Sequence, residues 1–244
     1  MFAHSFLAKF LHGNAHLLMI WDVNEACPGH FLQYFKPIEN ITFITNHTRH
    51  LFEPFAVRVY PNSRLTFSQT LMLYDVDNYL PKRYWFHSEM SHWRMLQLTR
   101  EMTDRLVPFV QRHNVCNASA AHIRMTDLDQ ILQRKRRFNL NSLRFWIDRL
   151  PPDRPVFIMS DNPEAQDELL QAYGQDKILV YAPIPKAAVN ASQMSSEFRY
   201  TSLEHTVMDI FIAAHATQFR PAGFSSISDF VRTLNALHWY EWCS

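Results

Sequence analysis

The chain has 244 residues, of which 47% are hydrophobic and 19% charged, so it reads as a globular protein large enough to bury a sizeable core in one large or two small domains. A formal net charge of +1 leaves no basic excess to neutralise a phosphate backbone, which argues against a nucleic-acid partner and means that any bound anion must be held locally. The three cysteines, Cys27, Cys116 and Cys243, are odd in number, far apart and without a CxxC pair, so neither a zinc site nor a disulfide framework is suggested.

The opening residues, broken by His4, Lys9 and His12, are too short an apolar run for a signal peptide or a membrane span, and a cytoplasmic protein without a transmembrane segment is expected. Four N-x-[ST] sequons, at Asn40, Asn46, Asn117 and Asn190, read as chance matches in that setting. Apolar residues at 2, 6, 7, 10 and 11 have the spacing of a helix face that stops at Gly13. Strands are expected at 17–21, 41–44, 56–60 and 71–74, with Asp22 in a loop and a short apolar segment at 31–35. From about 91 to 113, Leu96, Met102, Leu106, Phe109 and Val110 support one long helix, kinked or shortened by Pro108, that would connect two lobes. The first lobe with this helix spans 1–113 and the second 114–244.

Residues 118–123 form an apolar run that opens into His122-Ile-Arg-Met-Thr-Asp127, as a buried strand followed by a polar cluster would. In open α/β sheets ligands bind outside the carboxyl ends of the strands. Arg124 is the foremost candidate there, because its guanidinium stays charged and matches phosphate oxygens in a two-pronged fork; an ion pair with Asp127 is the alternative. His122 alternates with Arg124 and therefore points to the same side of the strand, as a ligand contact or as a buried, satisfied histidine. A basic stretch at 133–137 reads as a solvated face.

A helix at 139–150, a strand at 155–160 and a helix beginning at Asp161-Asn162-Pro163-Glu164 follow, the last with capping, first-turn proline and dipole-matched acid in order. Beyond a strand at 177–181 comes a Pro-, Ser- and Asn-rich loop to about 200, then a helix 202–215, a strand 217–220, the turn Gly223-Phe-Ser-Ser226 and a helix 227–237. Strands alternating with helices at this spacing imply parallel βαβ units in the second lobe. Ser225 and Ser226 precede a helix whose free N–H groups suit a phosphate, although a plain serine cap would leave the same signature.

Three of these pieces stand in order: His122-Ile-Arg-Met-Thr-Asp127; Val156-Phe-Ile-Met-Ser-Asp161; and Asp209-Ile-Phe-Ile-Ala-Ala-His through Gly223-Phe-Ser-Ser226. Together they resemble the donor-binding half of the fucosyltransferase superfamily that joins α1,6-fucosyltransferases, nodulation fucosyltransferases and protein O-fucosyltransferases. The first is similar to that family's HxRxTD motif, the second to its strand ending in Ser-Asp or Thr-Asp, and the third to its Asp-bearing helix and Ser-Ser phosphate turn. More loosely, Ile20-Trp21-Asp22 followed by Cys27-x-x-x-Phe31 and Phe35 resembles a segment of its first lobe. The family's opening strand and Gly-Asn-Arg loop have no counterpart, so the N-terminal lobe reads as truncated. Met125 stands where the α1,6 branch has a second arginine, and Leu128 where it has lysine.

The resemblance implies an α/β, GT-B-like architecture: two Rossmann-like lobes with parallel sheets and the nucleotide sugar in the second. It implies a metal-independent glycosyltransferase moving a sugar, in the first place fucose from GDP-fucose, to a hydroxyl of a glycan or protein acceptor, with no cofactor. The alternative is a non-catalytic nucleotide-sugar-binding or scaffold protein derived from such an enzyme. Carried over, His122, Arg124, Asp161, Asp209, Ser225 and Ser226 contact the donor, with Arg124 on its phosphates and Asp209 on guanine. Asp127, with Arg124, belongs to the catalytic group, and Asp127 and Asp129 are candidates for the base that takes the acceptor proton. Asp161 has a helix-cap role as its alternative, and Asp209 an ion pair across the lobe.

Overall fold

The computed structural model describes residues 17–21, 23, 29–39, 41–52, 96–124, 140–184, 201–222, 225–237 and 243. The expected helix at 2–13, the strands at 56–60 and 71–74, the basic stretch at 133–137, and Asp127 and Asp129 lie outside the described residues. The chain falls into two compact units, one of residues 1–24 with 29–99 and the other of residues 25–28 with 100–244.

In the first unit, β1 (Leu17–Ile20) and β2 (Ile41–Ile44) pair in parallel, with Leu17 opposite Ile41. A short helix, α1 (Phe31–Tyr34), is closed by a capping box in which the His30 side chain and Gln33 each accept from the other's end of the turn. Phe31 stacks on Phe43 at 4.0 Å and on Phe35 at 4.8 Å, while Trp21 meets it edge-on at 5.5 Å. The Trp21 indole N–H donates to the Gly29 carbonyl at 2.9 Å, so the ring is both packed and satisfied. A second helix, α2 (Asn46–Phe52), follows β2.

The helix expected from about residue 91 begins at Arg100, as α3 (Arg100–Arg112). The residues just before it are claimed by an extended pairing: Lys36 N–H donates to the Gln97 carbonyl at 2.8 Å, Thr99 N–H to the Tyr34 carbonyl at 2.9 Å, and Leu98 bridges Phe35. Those bonds fix 97–99 outside helical geometry, which the apolar spacing could not reveal. Pro108 is accommodated inside α3, and the helix packs in the second unit, against α6 below.

Among the described residues the second unit is built on a four-stranded parallel sheet. Its members are β3 (Ser119–Ile123), β4 (Val156–Ser160), β5 (Ile178–Leu179) and β6 (Gln218–Arg220), in the order β5-β4-β3-β6. Every residue of β3 and β4 is buried, as near-continuous apolar strands covered on both faces must be. Among the described residues the helices that follow these strands are α4 (Leu140–Ile147), α5 (Pro163–Tyr173), α6 (Leu203–His215) and α7 (Ser226–Ala236).

Strand alternation sorts the two faces. Ala121, Ile123, Val156 and Ile158 pack with Leu143 and Ile147 of α4 and Leu169 of α5. On the opposite face Phe157 meets Phe109 of α3 edge-on, with ring centroids 6.1 Å apart, and His122 reaches α7. The chain lays down β3, β4 and β5 in one direction, then crosses under α6 to place β6 on the other side of β3. The sheet is therefore doubly wound, and its topological switch point lies between β3 and β6, where open α/β sheets bind their ligands.

One pair of cysteines that the spacing did not suggest is joined. Cys116, in the 3-10 turn before β3, and Cys243 form a disulfide across 127 residues of sequence, with Cα atoms 5.5 Å apart. Such a separation carries no spacing signal, and only the folded unit brings the pair together. Among the described residues no helix is long and apolar enough to cross a membrane.

Candidate functional site

The carboxyl ends of β3 and β4 are tied to each other. Asp161 N–H donates to the Ile123 carbonyl at 3.4 Å, which holds the residue after β4 beside the start of the polar cluster after β3. Asp161 is not the cap of α5. Asn162 is, accepting from Ala165 N–H at 2.7 Å, and Ser160 Oγ bonds to both the N–H and the carbonyl of Asn162. Arg124 follows β3 directly and is half-buried.

On the other side of the switch point α7 begins. Ser225 is its N-cap, 3% exposed, and accepts from Ser228 N–H at 3.4 Å. The plain capping role is thus filled, and Ser226 is the first residue of the helix. What joins this helix to β3 is a residue the sequence reading missed. Ser228 Oγ lies 2.8 Å from His122 Nδ1 and accepts from Ala222 N–H at 3.0 Å, with Ser228 1% and His122 4% exposed. His122 is therefore a buried histidine satisfied by a side chain, and this contact brings His122 and Ser225 to one place. A lone serine in the first turn of a helix has no sequence signature beyond a mildly unfavourable propensity, so its partner 106 residues away could not be read from the chain.

Asp209 lies in the second turn of α6, the helix that starts after β5 and whose cap, Ser202, accepts from His205 N–H at 3.1 Å. It is 3% exposed, and among the described residues its Oδ1 has no hydrogen-bond partner. Burial holds its carboxyl well above the ordinary 3.8, as desolvation of an uncompensated anion requires. Among the described residues the basic group beside it is His205 Nε2, 3.6 Å away on the same helix. Burial lowers the His205 imidazole from its ordinary 6.5, with Glu204 acting in the opposite sense, so burial opposes the charged form of both partners in this contact. Among the described residues no basic group from another element is paired with Asp209.

Around Asp209 stands a group of side chains the sequence did not single out. Tyr181, after β5, meets His205 edge-on at 5.9 Å and Phe109 at 5.5 Å, and Arg105 of α3 pairs with Glu204 at 2.8 Å. The second unit thus holds an aromatic and basic rim beside a buried carboxyl, together with a histidine-serine junction at the switch point.

Comparison with known proteins bears on this arrangement. No protein-family model and no curated protein matches the sequence. Among solved structures, NodZ α1,6-fucosyltransferase co-crystallised with GDP matches over 95% of this chain and 86% of its own, at a TM-score of 0.54 and 13% identity. The chain has a fucosyltransferase-like fold. The same enzyme soaked with GDP-fucose gives a TM-score of 0.58 at 15% identity, over 96% of this chain and 86% of that one. Fucosyltransferase NodZ from Bradyrhizobium gives 0.54 at 13% identity over 95% and 86%. The likeness spans both units of this chain, including the first, where the sequence resemblance was loose.

Proposed function

We propose that this protein is a GT-B glycosyltransferase that moves fucose from GDP-fucose to a hydroxyl of a glycan or protein acceptor. The observation that carries the reading is the meeting of the β3 end and the capped start of α7 at the switch point through His122 and Ser228. A diphosphate in that crevice would find the Arg124 guanidinium and the N–H groups that open α7, a combination suited to a nucleotide diphosphate. The orphaned Asp209 Oδ1 supports a guanine in particular, since guanine offers adjacent N1–H and N2–H₂ donors and a buried acceptor left empty is costly.

In the reaction the acceptor oxygen attacks the anomeric carbon of fucose and the bond from that carbon to the β-phosphate oxygen breaks. The electron pair leaves with GDP, and the acceptor proton passes to a base, for which Asp127 is the candidate. Arg124 and the α7 start stabilise the charge growing on the departing diphosphate, the role a divalent ion fills in other sugar-nucleotide enzymes.

Calorimetric titration of GDP, ADP and UDP, with an assay for release of GDP from GDP-fucose, tests the proposal. A strong preference for GDP with slow donor hydrolysis is expected. Tight GDP binding without any turnover would mark a nucleotide-sugar-binding module, and equal affinity for the three nucleotides would remove the case for a GDP-sugar donor.

A further inference from the structure

We propose that Ser228 is a positioning residue for the diphosphate end of this site: it locks His122 in the tautomer protonated on Nε2 and anchors the β6–α7 connection with the same oxygen. The inference rests on the donor reading above for its functional part, while its structural part stands on hydrogen-bond valence. Ser228 is 1% exposed, so water cannot serve its hydroxyl. Its Oγ already accepts from Ala222 N–H at 3.0 Å. The single hydroxyl proton still needs an acceptor, because a buried donor left unmade costs as much as a lost bond. Among the described residues the acceptor at hydrogen-bond distance is His122 Nδ1, 2.8 Å away.

The hydroxyl therefore donates to Nδ1, and a neutral imidazole that accepts on Nδ1 carries its proton on Nε2. The opposite tautomer would place two protons in one 2.8 Å contact or strand the serine's own. His122 is thereby made a donor at Nε2, the polarity a phosphate or carbonyl oxygen requires. The same residue acts on the cap: Ser228 N–H donates to Ser225 Oγ at 3.4 Å, and a hydroxyl that accepts this bond keeps its own proton to give. The Ser228 hydroxyl thus sets the hydrogen-bond sense of His122 and fixes the backbone at Ala222 where the connection to α7 begins, while its backbone N–H, as any residue's would, serves the Ser225 cap.

A usual capping box has glutamate or glutamine at this third helical position, turned back to its own cap. Serine here is too short for that and is turned to the neighbouring strand instead. The geometry is a use of the position that a longer acidic side chain would abolish.

Long-range proton–nitrogen NMR of the histidine side chains, on the full chain without ligand, reads the tautomer directly. Wild type should show His122 protonated on Nε2. Ser228→Ala should lose that preference and weaken GDP binding about tenfold, the factor that corresponds to one typical lost hydrogen bond, with helix content unchanged by circular dichroism. Ser228→Thr, which keeps the hydroxyl, should restore both. An Nδ1-protonated His122 in wild type overturns the proposal. So does a Ser228→Ala protein whose tautomer is unchanged and whose GDP affinity stays within about threefold of wild type. If Ser228→Ala does not fold, the wild-type spectrum and the threonine variant still decide. A wild type that binds no GDP yet shows the Ser228-dependent tautomer would overturn the donor reading while upholding the lock.

Discussion

Asp209 Oδ1 lies 3.6 Å from Nε2 of His205, one turn earlier on α6, and burial opposes the charged form of both. A carboxyl whose folded pKa is raised above the unfolded value contributes stability below the unfolded pKa and loses it as pH rises through the folded one. The ordinary value is 3.8 and burial moves it well upward. Above about pH 4 the unfolded chain therefore ionises this group while the folded chain resists.

The expected outcome is a pH-dependent gap between wild type and Asp209→Asn. The two should converge in relative stability below pH 4. Above it, the variant should gain on wild type by up to about 1.4 kcal/mol per pH unit until the folded pKa is passed. Urea denaturation of both proteins at pH 4, 6 and 8 measures the gap, and a constant difference across the three would mean that Asp209 titrates normally. The same variant should lose its preference for GDP over ADP, so stability and nucleotide choice change in opposite directions.

The Cys116–Cys243 disulfide closes a loop of 127 residues that contains the whole parallel sheet. On the chain-entropy account a closure of this length contributes on the order of 4–5 kcal/mol. Protein made under oxidising conditions should contain the Cys116–Cys243 peptide pair by non-reducing mass mapping. Dithiothreitol or Cys243→Ser should lower the urea midpoint. A protein whose two cysteines alkylate freely while folded would show that the bond does not form.

Arg124→Lys keeps the charge and loses the fork. A point charge on a flexible stem cannot reproduce paired bonds to two phosphate oxygens. GDP affinity should fall by on the order of 2–3 kcal/mol, the range for a charged hydrogen bond whose partner is left unpaired. An affinity within about threefold of wild type would make Arg124 a structural residue.

Fucosyl transfer, once measured, should survive EDTA, because in the proposed donor site Arg124 and the start of α7 would fill the place of a divalent ion. Activity abolished by chelation and restored by Mn²⁺ or Mg²⁺ would transfer the role to an acidic pair, with Asp75-Val-Asp77 and Asp127-Leu-Asp129 the first to mutate.

What the sequence by itself determined is whatever local periodicity and punctuation encode. The runs that became β2, β3, β4 and β6 were legible because buried parallel strands are short, apolar and bounded by turn residues. The starts of α5, α6 and α7 were legible because Asn162, Ser202 and Ser225 cap them by bonds to their own next turn. The ordered motifs around Arg124, Asp161 and Asp209 were enough to mark the fold.

Tertiary structure decided everything that depends on two distant stretches meeting. The apolar spacing before Arg100 suggested helix, but backbone pairing with residues 34–36 made it extended. The apolar surroundings of Asp209 were visible in α6, yet only packing on both sides of that helix left its carboxyl buried with an orphaned oxygen. Cys116 with Cys243, and His122 with Ser228, are separated by 127 and 106 residues. No spacing rule spans such distances; the doubly wound sheet brings them together, because it places β6 and the start of α7 next to the strand laid down first.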